Sequence, residues 1–131
     1  MDLDMTSSIQ RIGTTARFSQ AVIHNRTVYL AGQVSQLTEG DIRAQTQDVL
    51  QQIDALLARA GTDKGHLLSA QIWLKDMADY PAMNLLWDAW LEGVQAPVRV
   101  CVQAPMAKPH YRIEVLVLSL IHISEPTRPE R

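Results

Sequence analysis

Two oppositely charged side chains, Arg99 and Glu114, interrupt runs of aliphatic residues in the last third of the chain. An arginine guanidinium matches a carboxylate with two parallel hydrogen bonds, so Arg99 is suited to hold a small organic acid in a partly dry cleft. If the two runs form an antiparallel hairpin in which Val102 faces Tyr111, Arg99 and Glu114 lie opposite each other. A register that differs by one residue would send them to opposite faces of the sheet. Spacing alone therefore leaves two interpretations, a binding site for a carboxylate or a cross-strand ion pair.

The other reactive or aromatic side chains give weaker indications of chemistry. Cys101 lies two residues from Arg99 on the same side of the predicted strand, but a lone cysteine is more often a small core residue than a nucleophile. We expect Trp73, Trp87 and Trp90 to pack in the interior, because a base-stacking surface would need basic neighbours that are lacking. The histidines lie far apart in sequence and no Cys or His pair has the spacing of metal ligands, so we expect no metal.

The composition indicates a single folded domain. With 131 residues, of which 47% are hydrophobic and 20% are charged, the chain has the size and balance of one globular domain. A formal net charge of −2 gives no broad positive field, which argues against binding to nucleic acids or to membrane surfaces. A single cysteine cannot form an internal disulfide, and the N-terminal sequence lacks the basic start and apolar run of a signal peptide. We therefore expect a cytoplasmic protein.

Hydrophobic periodicity and turn residues predict elements in the order β-β-α-β-α-β-β. The clearest helix runs from Asp41 to Ala60 and ends at Gly61. The other predicted elements are a hairpin at 21–32 that turns at 24–26, a strand with Leu68, Ala70, Ile72 and Leu74 on its covered face, a helix from Pro81 to Gly93, and strands at 98–102 and 111–118. This order predicts an α+β fold, a mixed β-sheet with two helices packed on one face. The other face needs cover, so we expect a homo-oligomer.

The end of the chain departs from this pattern, because polar residues and proline follow the last strand abruptly. The segment from Leu118 to Arg128 resembles, residue for residue, a reading-frame translation of the transposon adapter used to prepare sequencing libraries. We therefore expect the domain to span residues 1–117 and residues 118–131 to be a non-native tail, in which His122 and Glu125 carry no chemistry. The alternative is a natural C-terminal arm that completes a partner's surface.

Several spaced motifs agree in order and in distance with one known family. The run APVRVCVQAPMAKPHYRIEV contains Pro97, then Arg99, and fifteen residues later Glu114 in an I-E-V strand. Further matches are AGQV at 31–34, the long helix at 45–60, the strand that leads to LKD at 74–76, and AMN at 82–84. Over about residues 9–117 the chain thus resembles the Rid family of reactive intermediate deaminases, also called YjgF-like or RutC-like. Each motif alone would be weak, but together they are specific.

The resemblance implies a fold, an assembly and a reaction. It implies a chorismate-mutase-like α+β fold and a homotrimer with sites between neighbouring subunits. The implied reaction is the hydrolysis of 2-imino acids or enamines to 2-oxo acids and ammonia, without a cofactor. In each site Arg99 would bind the substrate carboxylate, and Glu114 would position or activate water. Backbone groups around Gly32 would orient the imine, and Asn84 and Cys101 match positions that line the family's cleft.

Two positions depart from the family pattern in the substrate-binding region. Phe18 stands where many members carry a tyrosine, and Ala31 stands where a Ser or Thr precedes the family glycine. Both changes remove a hydroxyl group. We expect the loss of these hydrogen bonds to shift preference toward more apolar imines or to lower turnover.

Three other functions stay open at this point. The same cleft could hold a 2-oxo acid or another small carboxylate without turnover, as a binding module. An endoribonuclease activity is often attached to this family, but the acidic balance and the lack of a paired-histidine site argue against it. A purely structural trimer would have a cleft that is lined without Arg99.

Overall fold

The computed structural model describes residues 8–121, which form a seven-stranded β-sheet with two α-helices against one of its faces. The strands are β1 (Gln10–Ile12), β2 (Ala21–His24), β3 (Thr27–Leu30), β4 (Gln33–Val34), β5 (Leu67–Leu74), β6 (Val98–Gln103) and β7 (Ile113–Leu120). The helices are α1 (Ile42–Arg59) and α2 (Tyr80–Trp90), and short 3-10 turns at Lys64–His66 and Met77–Asp79 precede β5 and α2. All the predicted elements are present. The additional strands β1 and β4 have three and two residues, too few to show a hydrophobic period.

The sheet is mixed, as the sequence predicts. Its order is β1-β2-β3-β7-β5-β6, and β4 also pairs with β7. Strands β5 and β6 are parallel, whereas the other pairs are antiparallel. Parallel neighbours require a crossover connection, and α2 provides it between β5 and β6. Both helices contribute buried residues to the core that covers one face of the sheet, so the predicted α+β architecture is confirmed.

The hairpin between β2 and β3 turns where its polar residues predict. Asn25 and Arg26 both have positive φ values, 51° and 66°. Two successive left-handed residues are typical of a type I′ turn, whose twist matches that of the flanking strands.

Helix α1 begins and ends as predicted. The Asp41 carboxylate caps the helix by accepting a hydrogen bond from the Ala44 backbone N–H at 2.9 Å. Ala60 closes the helix, and Gly61 follows with a φ of 91°, which glycine adopts without the steric penalty of a Cβ. No helix within residues 8–121 combines the length and the apolar character needed to cross a membrane.

Strand β5 follows its predicted alternation except at its first residues. Ala70, Ile72 and Leu74 are buried as predicted, but Leu68 is 46% exposed and Leu67 is buried instead. The pairing with β7 shifts between Leu67 and Ser69. Such a bulge sets two residues against one on the neighbouring strand, which moves Leu68 off the covered face. The prediction for Leu68 is therefore wrong.

The two faces of the sheet have different surroundings. Under the helices lie Val28, Leu30, Ala70, Ile72, Leu74, Ile113, Val115 and Val117, all of them buried. On the opposite side, the open face, Val98, Val100 and Val102 of β6 are 72%, 51% and 44% exposed. A row of exposed aliphatic side chains favours association. Assembly into a homo-oligomer stays a prediction.

Strands β6 and β7 do not form the hairpin considered from the sequence. Strand β5 lies between them, so that Arg99 pairs with Ala70 and Glu114 pairs with Trp73. Because paired residues share a face and neighbouring residues alternate, Arg99 points to the helix side and Glu114 to the open face. The loop at 104–112 is long enough to pass one intervening strand, since adjacent strands lie only about 4.8 Å apart. The predicted juxtaposition of Arg99 and Glu114 within one chain is therefore wrong.

Strand β7 continues to Leu120, past the predicted domain end at residue 117. Ser119 pairs with β3 and is fully buried, and Thr62 Oγ1 donates to the Leu120 carbonyl at 2.8 Å. An alternating Leu-Ser-Leu segment suits strand pairing whatever its origin, because the ladder bonds come from the backbone. The tail from residue 122 onward, with His122 and Glu125, lies outside the described residues.

Candidate functional site

The guanidinium of Arg99 lies against the first two turns of α2. Its Nη1 donates to Asn84 Oδ1 at 2.8 Å, and its Nη2 donates to the Tyr80 hydroxyl oxygen at 3.0 Å. Its central carbon lies 5.7 Å from the ring centroids of both Tyr80 and Trp87, within the range of cation–π attraction. Tyr80, Asn84, Trp87 and Arg99 together form the Arg99 cluster.

One face of α2 supplies three members of this cluster. Tyr80, Asn84 and Trp87 are separated by four and three positions, which places them along one side of a helix. Pro81 lies in the first turn, where its fixed φ and missing N–H are tolerated. Strand β6, at the edge of the sheet, then presents Arg99 to this side of α2.

Arg99 is a cation without an anionic partner among residues 8–121. Within residues 8–121, no carboxylate oxygen lies within 4.0 Å of its guanidinium. Asn84 and Tyr80 each accept from Arg99 through an oxygen, and each keeps hydrogen-bond donors of its own. A cleft of 290 Å³ opens beside them, lined by Asn84, Trp87, Asp88, Ala96, Pro97 and Arg99. A guanidinium surrounded by further donors is an arrangement that suits a bound carboxylate.

Cys101 points to the same side of β6 as Arg99, as predicted, and is half-buried. Burial raises the pKa of the Cys101 thiol, and the positive charge of Arg99 opposes this rise. A raised pKa keeps the sulfur protonated at neutral pH, and the thiolate is the nucleophilic form. The environment therefore favours a packing or cleft-lining role over covalent chemistry.

Glu114 lies on the open face, directly against Gly32. Strand β4 pairs with β7 so that Val34 is opposite Glu114. A Cβ at position 32 would overlap Glu114 Oε2 and lie 3.1 Å from its Cδ. Only glycine permits so close an approach. A cleft of 190 Å³ adjoins the carboxylate, lined by Trp73, Ala104, Pro105, Met106 and Glu114.

The Glu114 carboxyl group is in a partly dry environment. Burial raises its pKa above the ordinary value of a glutamate, because water solvates the charged form less well there. Among residues 8–121, no basic side chain lies within 4.0 Å of this carboxylate to offset the desolvation. A carboxyl group with a raised pKa is better suited than an ordinary glutamate to accept and return a proton.

Ala31 belongs to the segment that presents Gly32. Its N–H donates to the Gln20 carbonyl at 2.9 Å, and its carbonyl accepts from Gln33 Nε2 at 3.0 Å. These two bonds hold the backbone immediately before Gly32 in place. Ala31 thus directly precedes the glycine that lies against Glu114.

Phe18 stands apart from both clefts within one chain. Its side chain is 51% exposed in the loop before β2, and it lines neither the cleft at Arg99 nor the cleft at Glu114. The other predicted site residues form two groups on opposite sides of the sheet, the two candidate half-sites. Asn84 and Cys101 accompany Arg99 on one side of the sheet, and Gly32 and Ala31 accompany Glu114 on the other.

Comparison with known proteins decides the family. A family model described as "Endoribonuclease L-PSP" matches residues 8–121. A RutC family protein of Haemophilus influenzae is 45% identical over 113 residues, which cover 86% of this chain and 97% of that protein. The RutC family protein YoaB of Escherichia coli is 42% identical over 114 residues, covering 87% and 99%. A YjgF family crystal structure from Neisseria meningitidis has a TM-score of 0.87 at 42% identity, covering 91% and 99%. The chain belongs to the YjgF/Rid family.

In this YjgF/Rid family member, Tyr80 lies in the Arg99 cluster although the sequence does not predict it as a site residue. Trp87 was expected to pack, and it does so at 5% exposure, but its ring also lies beside the Arg99 guanidinium. The available signal was the spacing of Tyr80 four residues before Asn84, which puts two polar groups on one helix face. That spacing indicates contacts with Arg99 only when β6 is known to lie beside α2.

A larger cleft of 620 Å³ in this YjgF/Rid family member contains none of the predicted site residues. Its basic side chains are already engaged, since Lys75 Nζ donates to a backbone carbonyl at 2.6 Å and Arg112 pairs with Asp79 at 3.1 Å. Glu39 and Asp76 add negative charge to its walls. This cleft is less suited to an anion than the Arg99 cluster. Within residues 8–121, no three His, Cys, Asp or Glu side chains converge as metal ligands.

Proposed function

We propose that the protein hydrolyses reactive 2-imino acids, or the enamines that tautomerise to them, to 2-oxo acids and ammonia. The observation that carries the proposal is the Arg99 guanidinium, which lies among hydrogen-bond donors and has no acidic partner in residues 8–121. In the reaction, water adds to the C=N carbon and the nitrogen takes up a proton. The hydroxyl proton of this adduct is then transferred to the nitrogen, the C–N bond breaks, ammonia leaves and a C=O bond forms. The proposed reaction uses no cofactor.

Arg99 binds the carboxylate of the substrate in this proposal. Two of its N–H groups donate to Asn84 and Tyr80, and its remaining N–H groups suffice for a bidentate pair with a carboxylate. The electrophilic carbon of a 2-imino acid is bonded directly to that carboxylate. Fixing the carboxylate therefore presents the reacting carbon in one orientation, which lowers the entropic part of the barrier.

Glu114 activates the attacking water in this proposal. Its ionised form takes a proton from water as the new C–O bond forms, and the protonated form returns it to the departing nitrogen. The raised pKa supports this role, because it makes the ionised group a stronger base than an ordinary glutamate. Gly32 lets the backbone lie beside the carboxylate, where its polar groups orient the imine.

The complete site requires two copies of the chain. Arg99 and Glu114 of one chain point to opposite faces of its sheet, so they cannot act together on one small molecule. We therefore include in the proposal a homotrimer with sites between neighbouring subunits. The position of β6 at the sheet edge and its exposed valines support an interface there. One subunit would contribute the Arg99 cluster, and its neighbour would contribute Gly32 and Glu114.

The proposed substrates are small and mainly apolar. Ala31, next to Gly32, carries no hydroxyl, so its side chain offers no hydrogen bond to a polar substituent of the substrate. A site without such partners discriminates against hydroxyl-bearing imines. We therefore assign 2-iminopropanoate and 2-iminobutanoate as the first substrates to test. A cytoplasmic location stays a prediction.

The family model's description names an endoribonuclease, but the features of this chain favour small acids over RNA. The formal net charge is −2, which weakens the attraction of the many phosphate groups that RNA binding requires. The second candidate function is a binding module, because the Arg99 cluster could hold a 2-oxo acid by its carboxylate without turnover.

The test is ammonia release from freshly generated 2-iminobutanoate, with wild type compared with Arg99→Ala. Loss of a bidentate, charge-assisted pair is expected to lower kcat/KM by about 100-fold. Arg43→Ala is the matched control, because Arg43 is an exposed arginine on α1, and it should equal wild type. Equal rates for wild type and Arg99→Ala would refute the assignment. Binding of 2-oxobutanoate without faster ammonia release would favour the binding module.

A further inference from the structure

We propose that Tyr80 recognises the substrate carboxylate directly, in addition to holding Arg99 in place. The inference rests on the proposed imine hydrolysis and adds a residue to its carboxylate site. Tyr80 is the first residue of α2 and is half-buried. Its phenol group touches Arg99 in two ways, through a hydrogen bond of 3.0 Å and through its ring, 5.7 Å from the guanidinium carbon.

The direction of the hydrogen bond determines what the Tyr80 hydroxyl can still do. Arg99 can only donate, so the phenolic oxygen is the acceptor in this contact. The O–H proton of Tyr80 is therefore free to donate elsewhere. Within residues 8–121, no acceptor is bonded to it. A carboxylate held by the neighbouring guanidinium would supply that acceptor, and a hydrogen bond to a charged oxygen is among the stronger ones in proteins.

Tyr80 and Asn84 together also determine the plane of the guanidinium. They bind different terminal nitrogens of Arg99, Nη2 and Nη1. Two contacts on two nitrogens prevent rotation of the planar head, which a single contact would allow. The result is a pre-oriented fork with one phenolic donor at its side, so that a carboxylate loses little further freedom of Arg99 on binding.

The position of Tyr80 also gives the site a preference for carboxylates over neutral groups. An amide in place of the carboxylate carries no negative charge, and only its single oxygen is available to the donors. The hydroxyl of Tyr80 should therefore contribute more to the binding of an acid than to that of its amide. This difference separates a role of Tyr80 at the carboxylate from a role in the stability of the fold alone, which would affect both ligands equally.

The experiment compares wild type, Tyr80→Phe and Tyr111→Phe by calorimetric titration with 2-oxobutanoate and with 2-oxobutanamide. Tyr80→Phe keeps the ring beside Arg99 and removes only the hydroxyl. We expect it to weaken 2-oxobutanoate binding about tenfold and 2-oxobutanamide binding much less. Tyr111→Phe removes the hydroxyl of another half-buried tyrosine, which belongs to neither half-site, and should match wild type. Thermal melts of all three proteins should coincide.

Steady-state ammonia release adds a kinetic signature. Since the substrate carboxylate is bound in both the ground state and the transition state, Tyr80→Phe should raise KM about tenfold with kcat within about twofold of wild type. Equal 2-oxobutanoate affinity in wild type and Tyr80→Phe would overturn the inference, as would an equal loss for acid and amide. If wild type binds 2-oxobutanoate but releases no ammonia, imine hydrolysis is refuted, and the acid-selective loss in Tyr80→Phe still supports the role of Tyr80.

Discussion

Replacing Gly32 by alanine tests whether the contact between Gly32 and Glu114 belongs to the catalytic machinery. The backbone of Gly32 does not have a positive φ, so alanine fits its conformation. The added methyl group, however, would overlap Glu114 Oε2 and lie 3.1 Å from Cδ. The carboxylate must therefore move away from position 32.

The size of the required movement gives the expected magnitude. Restoring an ordinary contact between the methyl carbon and the oxygen requires a displacement of about 1 Å. A misplacement of this size in a reacting group lowers the rate by up to about 100-fold. Because the substrate carboxylate is bound by Arg99, on the other half-site, we expect the loss in kcat rather than in KM.

The assay is steady-state ammonia release from 2-iminobutanoate, together with thermal melts. Gly65→Ala is the matched control, because a Cβ at position 65 would lie 3.1 Å from an Asp63 carboxylate oxygen outside both half-sites. We expect this control to retain wild-type kcat. Glu114→Asp withdraws the carboxylate by one methylene, so adding Gly32→Ala to Glu114→Asp should cost much less than adding it to wild type.

An unchanged kcat in a folded Gly32→Ala variant would refute the proposed catalytic role of the contact between Gly32 and Glu114. Additive effects of Gly32→Ala and Glu114→Asp would also contradict it, because two residues in contact should not act independently.

Three further predictions follow from the same geometry. Burial raises the pKa of Glu114, so the stability that its protonated form contributes is present below the ordinary pKa and is lost as the pH rises through the raised pKa. Glu114→Gln should therefore raise Tm at about pH 7 more than at about pH 4. The same substitution should abolish the acidic limb of the kcat/KM profile. Val100→Lys on the open face should convert the proposed trimer to monomers in light scattering and remove activity, whereas Leu85→Lys, at a 64% exposed position on α2, should change neither. Cys101 should react with iodoacetamide more slowly than a free thiol, because burial raises its pKa, and more slowly still in Arg99→Ala, where the cation that lowers this pKa is gone. A faster reaction in the variant would contradict the effect of Arg99 on the thiol.

Features that depend on neighbouring residues were predictable from the sequence. The polar turn at Asn25 and Arg26 and the helix bounded by Asp41 and Gly61 lie where the sequence predicts. Turn dihedrals, helix caps and hydrophobic periodicity are determined by groups a few residues apart, so their signals lie within short windows of sequence. The bulge that exposes Leu68 shows the limit of this rule, because it depends on the pairing with β7.

The site depended on contacts between distant segments. Arg99 and Glu114 were identified from their residue types and from a family pattern, but the expected hairpin between their strands is absent, because β5 lies between β6 and β7. Tyr80 gained its role only when the crossover helix α2 brought it beside Arg99. Strand order is selected by how all the apolar faces are buried together, and no local window contains that information. The sequence by itself therefore singled out the two charged residues and the chemistry expected of them, whereas the tertiary structure decided that they lie on opposite faces of one sheet.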